Sequence, residues 1–181
     1  MNEALNNIIE QDKDFSEAKF KSKVQNMFVQ VKLSMVTGKI QKIDHFVADE
    51  VYRKIESKVQ SDIDNDRIQM YDELNVANIE IVDVREYEDH FEIDVRLLSR
   101  ALEYYISRDT RKYLSGNNSS RIEKSNLITF SKIKNAKGLK VLRKCPTCGA
   151  VVDINRDGRC EYCHNIFNLD DYDWIITKMD V

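Results

Sequence analysis

The sequence predicts an α+β fold, N-terminal helices packed on an antiparallel sheet, and three observations carry that expectation. Apolar residues recur every three or four positions from Phe20 to Val59, as on one side of a helix. From Phe91 to Leu97 they alternate with charged residues, as on a half-buried strand. The few glycines and the single proline fall between these stretches, so short turns separate the elements and favour antiparallel pairing.

In chain order, Leu5, Ile8 and Ile9 give residues 1–14 a short amphipathic segment. Ser16 has the chemistry of an N-cap, and Phe15 is placed to staple against Phe20. Phe20, Val24, Met27, Phe28, Val31 and Met35 form one stripe, and Gly38 stands where a helix end favours a left-handed residue, so a helix is expected over 16–37. A second helical stretch holds Ile40, Ile43, Phe46 and Val47, breaks near Ala48 and Asp49, and resumes with Val51, Tyr52, Ile55 and Val59. Ile79–Val84 reads as a strand whose phase slips at Ile81 and Val82, the mark of a β-bulge. Glu86–His90 turns the chain, and the strand from Phe91 runs on through Ala101–Ile106. Gly116–Ser120 is expected to be a flexible loop. Ile128 with Phe130, Leu139–Leu142 and Trp174–Met179 mark three further strands.

Cysteine occurs only at 145, 148, 160 and 163, as CPTC and CEYC with eleven residues between. Two C-x-x-C pairs at this separation fit the knuckles of a zinc ribbon, with four thiolates closing a tetrahedral structural site. A disulfide is disfavoured because no secretion signal opens the chain, which points to a reducing compartment. Gly149 and His164 follow the two pairs, where a knuckle wants positive φ. Asp153–Gly158 matches half of an EF-hand loop, but His164 stands where a bidentate Glu is needed, so Asp157 and Gly158 read instead as the tip of a hairpin. The ribbon, 143–168, is an insertion before the last strand of a domain spanning 15–181.

At 181 residues, 33% charged and 42% hydrophobic, the chain is one soluble folded domain with a small insert. No apolar run exceeds three residues, so no helix is expected to span a bilayer. Net charge is −3, which argues against a wholly basic nucleic-acid binder. The charge is uneven: residues 49–94 hold fifteen Asp and Glu against five Lys and Arg, and residues 96–144 hold thirteen Lys and Arg against three acids. Such a chain can turn a basic face to an anionic partner.

Phe15-Ser16-Glu17-Ala18 leading into Val24–Val31, followed by Phe46-Val47-Ala48-Asp49-Glu50-Val51-Tyr52, resembles the opening of the Tim44-like domain. Ile79–Glu86, Tyr104 with Tyr105, Asn126–Ser131 and Asp173-Trp174-Ile175 fit the rest of that pattern over roughly residues 13–181, in particular in bacterial relatives carrying a CPxCG ribbon. The resemblance implies helices on a curved antiparallel sheet, the cone of nuclear-transport-factor-two-like proteins. It also implies no catalytic motif. The family's founding member is a peripheral subunit of the mitochondrial import machinery that docks on anionic lipid and tethers a chaperone; bacterial members are often preceded by a membrane segment.

The expected function is therefore a non-catalytic binding or scaffold module, cytoplasmic and peripheral at the inner face of the membrane, with a protein partner, anionic lipid, or both. An apolar small-ligand pocket would be lined by Phe28, Val31, Val95, Leu97, Ile128, Phe130, Trp174 and Ile176; the plainer alternative is packed core. Arg96, Arg100, Arg108, Arg111 and Lys112 are the candidates for touching anionic headgroups. An enzyme would have to draw on Asp44, His45, His90, Tyr104 and Tyr105, which show no triad or paired-carboxylate spacing. A ribbon-based nucleic-acid binder would use Lys137, Lys140, Arg143, Lys144, Arg156 and Arg159, with little aromatic interleaving beyond Tyr162 and Phe167.

Overall fold

The long helix begins where its capping chemistry places it. Ser16 is extended (φ −140°, ψ 146°), its Oγ accepts the Lys19 N–H at 3.2 Å, and the Phe15 and Phe20 rings lie 5.9 Å apart. The helix ends at Gly38, in the left-handed region at φ 71°. In the computed structural model, which describes residues 3–13, 15–134, 142–145, 147–153, 159–165 and 173–181, this helix is α2 (Glu17–Thr37). It lies between α1 (Glu3–Gln11) and a 3-10 turn (Ile40–Lys42), with α3 (Asp49–Asp64) following.

Strands β1 (Arg67–Glu86), β2 (His90–Ser107), β3 (Tyr113–Ile133) and β6 (Ile175–Met179) form one curved antiparallel sheet in the order β1-β2-β3-β6. β4 (Leu142–Lys144) and β5 (Val151–Asp153) pair only with each other. Strict alternation along β2 sends Phe91, Ile93, Val95, Leu97, Ser99 and Ala101 to the buried face, where the helices pack, and Arg96 and Arg100 to the other. The expected bulge is present: Ile81 pairs with Val95 but Asp83 pairs with Asp94, leaving Val82 as the extra residue.

Four expectations change. The second helical stretch is interrupted as expected, but its first part is only the 3-10 turn. The Ile176 N–H donates to the Phe46 carbonyl (2.8 Å) and the Ala48 N–H to the Ile176 carbonyl (2.9 Å), so Phe46–Ala48 runs extended beside β6 and covers that edge. β1 begins at Arg67, well before Ile79; its alternation was hidden by a second irregularity at Glu73, which sits at φ 54°.

Gly116–Ser120 is not a flexible loop but part of β3. Gly116 pairs with Tyr104, and the excursion that follows is held by Asn117, whose Oδ1 accepts the N–H groups of Ser119 (3.2 Å) and Ser120 (2.9 Å). Leu142 belongs to the small β4–β5 sheet instead of the main one. Leu139, the half EF-hand over 154–158 and the Asp157–Gly158 tip lie outside the described residues, as do Lys137, Lys140, Arg156 and Phe167 of the nucleic-acid reading.

Gly116 tests the register. It has φ 101°, and a Cβ there would stand 2.6 Å from the Tyr104 Cα and 2.7 Å from the Glu103 carbonyl, both backbone. Gly38→Ala meets nothing within 4 Å and should cost only the left-handed penalty, about 1 kcal/mol. Gly116→Ala should cost on the order of 3 kcal/mol, because the strands must part. Urea unfolding of both variants measures the difference.

Candidate metal centre and contact surfaces

The two C-x-x-C segments fold as matching knuckles. In the first, the Gly149 N–H donates to the Cys145 carbonyl (2.8 Å) and the Cys145 N–H to the Ala150 carbonyl (2.8 Å); in the second, His164 and Cys160 repeat the pattern with Asn165, at 3.0 Å each. Gly149 and His164 take φ 74° and 59°, as the spacing predicts. The Asn165 side-chain N–H donates to Thr147 Oγ1 at 2.8 Å and joins the knuckles. The four sulfurs all lie within 4.8 Å of one another, with Cys145–Cys163 and Cys148–Cys160 each at 3.7 Å.

These separations bear on the chemistry. A disulfide would need about 2.05 Å. Four sulfurs each about 2.3 Å from a tetrahedral ion stand about 3.8 Å apart. The backbone N–H groups of Cys163 and Tyr162 hold the Cys160 thiol down to about 7, as a ligand thiolate requires. The Asn165 N–H also favours the Cys163 thiolate, but burial and the neighbouring sulfurs push it up to about 12. Crowded thiolates repel unless a cation lies among them, and the donor set fits a soft divalent ion.

The knuckles dock on the helices. Lys144, at the end of β4, reaches Asp44 at 2.9 Å and stands 6.0 Å from the Tyr52 ring centre. A cleft of about 240 Å³ remains between them, lined by His45, Ala48, Asp49, Lys144 and Val151 among others.

The eight apolar candidates, Phe28, Val31, Val95, Leu97, Ile128, Phe130, Trp174 and Ile176, are all brought together, but as closed interior: none is more than 2% exposed, and none lines the three clefts described on the surface. Arg96 pairs with Glu80 (3.0 Å) and Arg100 with Glu123 (2.7 Å). Arg108, Arg111 and Lys112 sit together in the β2–β3 turn, exposed and in no ion pair among the described residues. That turn is tightly built: the Arg108 N–H donates to the Asp66 carbonyl, Ser107 Oγ to Asp66 Oδ2, and the Thr110 N–H to Ser107 Oγ.

The five enzymatic candidates do not converge. Asp44 is committed to Lys144, and His45 packs edge-on against Phe46. His90 stacks on Tyr87 at 4.5 Å and bonds Asp89, at the β1–β2 turn. Tyr104 donates to Asp72, whereas Tyr105 lies under Lys58 and Arg67.

A family model for the Tim44-like domain matches residues 1–140. The chain belongs to the Tim44-like family. The match includes α1, α2, α3 and β1–β3, and stops short of the cysteines and β6. No curated protein matches the chain. Among the described residues no helix is long and apolar enough to cross a membrane.

Sequence reasoning missed a polar group on the inner face. Glu103, Gln69, Tyr71 and Lys124 project from the strands toward Lys32 of α2 and Lys58 of α3. Two signals were readable: Glu103 continues the parity of Phe91–Ala101, and Lys32 follows Phe28 by four residues, on the stripe.

Two outcomes are expected. Native mass spectrometry should find one divalent metal per chain, lost in Cys160→Ser, while stripping the metal leaves the main unfolding transition within about 1 kcal/mol, since the site closes only a surface insert. Burial lowers Lys32 from its ordinary 10.5 to about 8, against the pull of Glu103 and helped by Lys124 and Lys58. The unfolded chain then binds more protons than the folded one above pH 8, so stability from this group rises between pH 8 and about 10, where ionisation of Tyr71, held protonated by burial, begins to oppose it. Lys32→Met should flatten that rise in pH-dependent urea melts.

Proposed function

We propose that this Tim44-like chain is a non-catalytic binding and scaffold module that acts at the anionic, cytoplasmic face of a membrane and carries a structural zinc ion on Cys145, Cys148, Cys160 and Cys163. Family membership supports the binding role. The observation that carries the membrane contact is the β2–β3 turn, where Arg108, Arg111 and Lys112 have no ion pair among the described residues while Arg96 and Arg100 are neutralised on the sheet. A rigid turn holding three cations loses little entropy on meeting headgroups, and each contributes about 1 kcal/mol near an anionic surface. Asp109 offsets part of this, so a second contact, to a protein partner, completes the affinity. Zinc is favoured by four thiolates in tetrahedral spacing.

The protein should co-sediment with phosphatidylglycerol–phosphatidylcholine vesicles in low salt and not with phosphatidylcholine alone. The triple change Arg108→Ser, Arg111→Asn, Lys112→Ser should lower partitioning by one to two orders of magnitude, Asn being chosen because Arg111 sits at φ 60°. Equal partitioning of the variant, or equal recovery with both vesicle types, would remove the reading.

A further inference from the structure

The buried face of the sheet is apolar around Ile93, Val95 and Phe130 but becomes polar toward the β2–β3 turn. Nearly every polar group there has a partner. Glu103, with only 9% of its side chain exposed, is paired with Lys124; Asp62 is paired with Lys58 and with Arg67 at 2.7 Å; Asn126 donates to Ser99 Oγ (3.0 Å) and the Leu97 carbonyl (3.1 Å). Two groups differ. The Lys32 ammonium stands 4.6 Å from the Tyr71 ring centre and 5.6 Å from that of Phe28, with no carboxylate within 4.0 Å among the described residues. The Gln69 Oε1 is buried and accepts no hydrogen bond. Tyr71 and Gln69 are successive inward residues of β1, about 7 Å apart along the strand.

A desolvated cation without an acceptor and, one position away, a buried acceptor without a donor are each unfavourable alone, and together they describe a ligand. We propose that this end of the sheet binds a small carboxylate that also carries an amide or hydroxyl donor: the carboxylate meets Lys32, the donor meets Gln69, and the Tyr71 and Phe28 rings floor the site. Lys32, Lys58, Lys124 and Arg67 outnumber Asp62 and Glu103, so the local field favours an anion. A monoanionic carboxylate fits better than a phosphate, because the other cations are committed and one ammonium is left. Lys124 and Arg67, half-exposed at the rim, leave a way in from solvent. The proposal does not depend on the membrane reading.

The test uses the full chain and N-acetylglycine, which has a carboxylate beside an amide N–H, against propionate and inorganic phosphate. Calorimetry should rank N-acetylglycine tightest, and Lys32→Met should weaken it at least about tenfold, the worth of a charge-assisted hydrogen bond. Gln69→Leu should bring N-acetylglycine down to propionate. Methylene NMR of Lys32 should show its pKa rising from about 8 on saturation, a readout that a merely structural lysine would not move. Lys32→Met should melt no lower than the parent, since it removes a desolvated charge. Binding of phosphate as tight as N-acetylglycine, unchanged affinity in Lys32→Met, or an unmoved Lys32 pKa would each overturn the proposal.

Discussion

The fold depends on the chain returning, after the cysteine-bearing insert, to put one tryptophan into the interior. Trp174 is 2% exposed, 5.0 Å from the Phe20 ring and 6.2 Å from that of Phe15, and Phe20 in turn stands edge-on to Phe130 at 5.6 Å. Four rings from the entry of α2, from β3 and from the approach to β6 thus share one contact. Above it, Asp173 accepts from Lys23 (2.6 Å) and Lys132 (3.3 Å), Lys132 also reaches Asp12 (2.6 Å), and the Trp174 N–H donates to Asp173 Oδ1 (2.9 Å). Losing a buried aromatic of this kind costs about 3–5 kcal/mol, a large share of the stability of an ordinary domain. The return also lets Ile176 bond Phe46 and Ala48, so the same strand closes the sheet edge and breaks the helix between residues 40 and 64.

Strand pairing resolves the charge asymmetry of the sequence. The acidic stretch becomes α3, β1 and the start of β2, and the basic stretch becomes the rest of β2 and β3, so antiparallel pairing lays one against the other. Glu73 meets Arg121, Glu80 meets Arg96, and Glu86 meets Lys134. Arg85 gathers Asp83, Glu92 and Asp94 at once, and its hydrogen bond to Asp94 is the largest cause of that carboxyl's lowered pKa. Individually such surface pairs contribute little. Collectively they neutralise the sheet, which is why the cations left over in the β2–β3 turn stand out more than the sum of charges suggests.

How much of this was legible follows from what each signal reports. Caps, staples and knuckles were read correctly because they are local: Ser16, Gly38, Gly149 and His164 each satisfy a backbone demand within a few residues. The interior was read correctly as a set of residues, since periodicity reports burial, but periodicity does not distinguish the lining of a pocket from packed core. The Phe28–Trp174 set turned out closed. Gly116–Ser120 misled because its residues are those of a loop, and what makes them strand is pairing with Glu103 and Tyr104, a tertiary fact. The early part of β1 was missed because a left-handed Glu73 breaks its period.

The polar inner end shows why binary patterning is a poor guide to sites. Inward positions occupied by Glu103, Lys124, Gln69 and Lys32 violate the rule that the buried face be apolar. Paired buried charges are in general no more stabilising than well-packed hydrophobic residues of the same volume. A sheet selected only for stability would extend Val95 and Leu97 with more of the same. The cost here is greatest at Lys32, whose charge burial opposes and whose aromatic neighbours compensate it only in part. Violations of local rules collect where a fold does its work, so this half of the interior, away from the ring cluster that secures the fold, is where binding can evolve without loosening the rest.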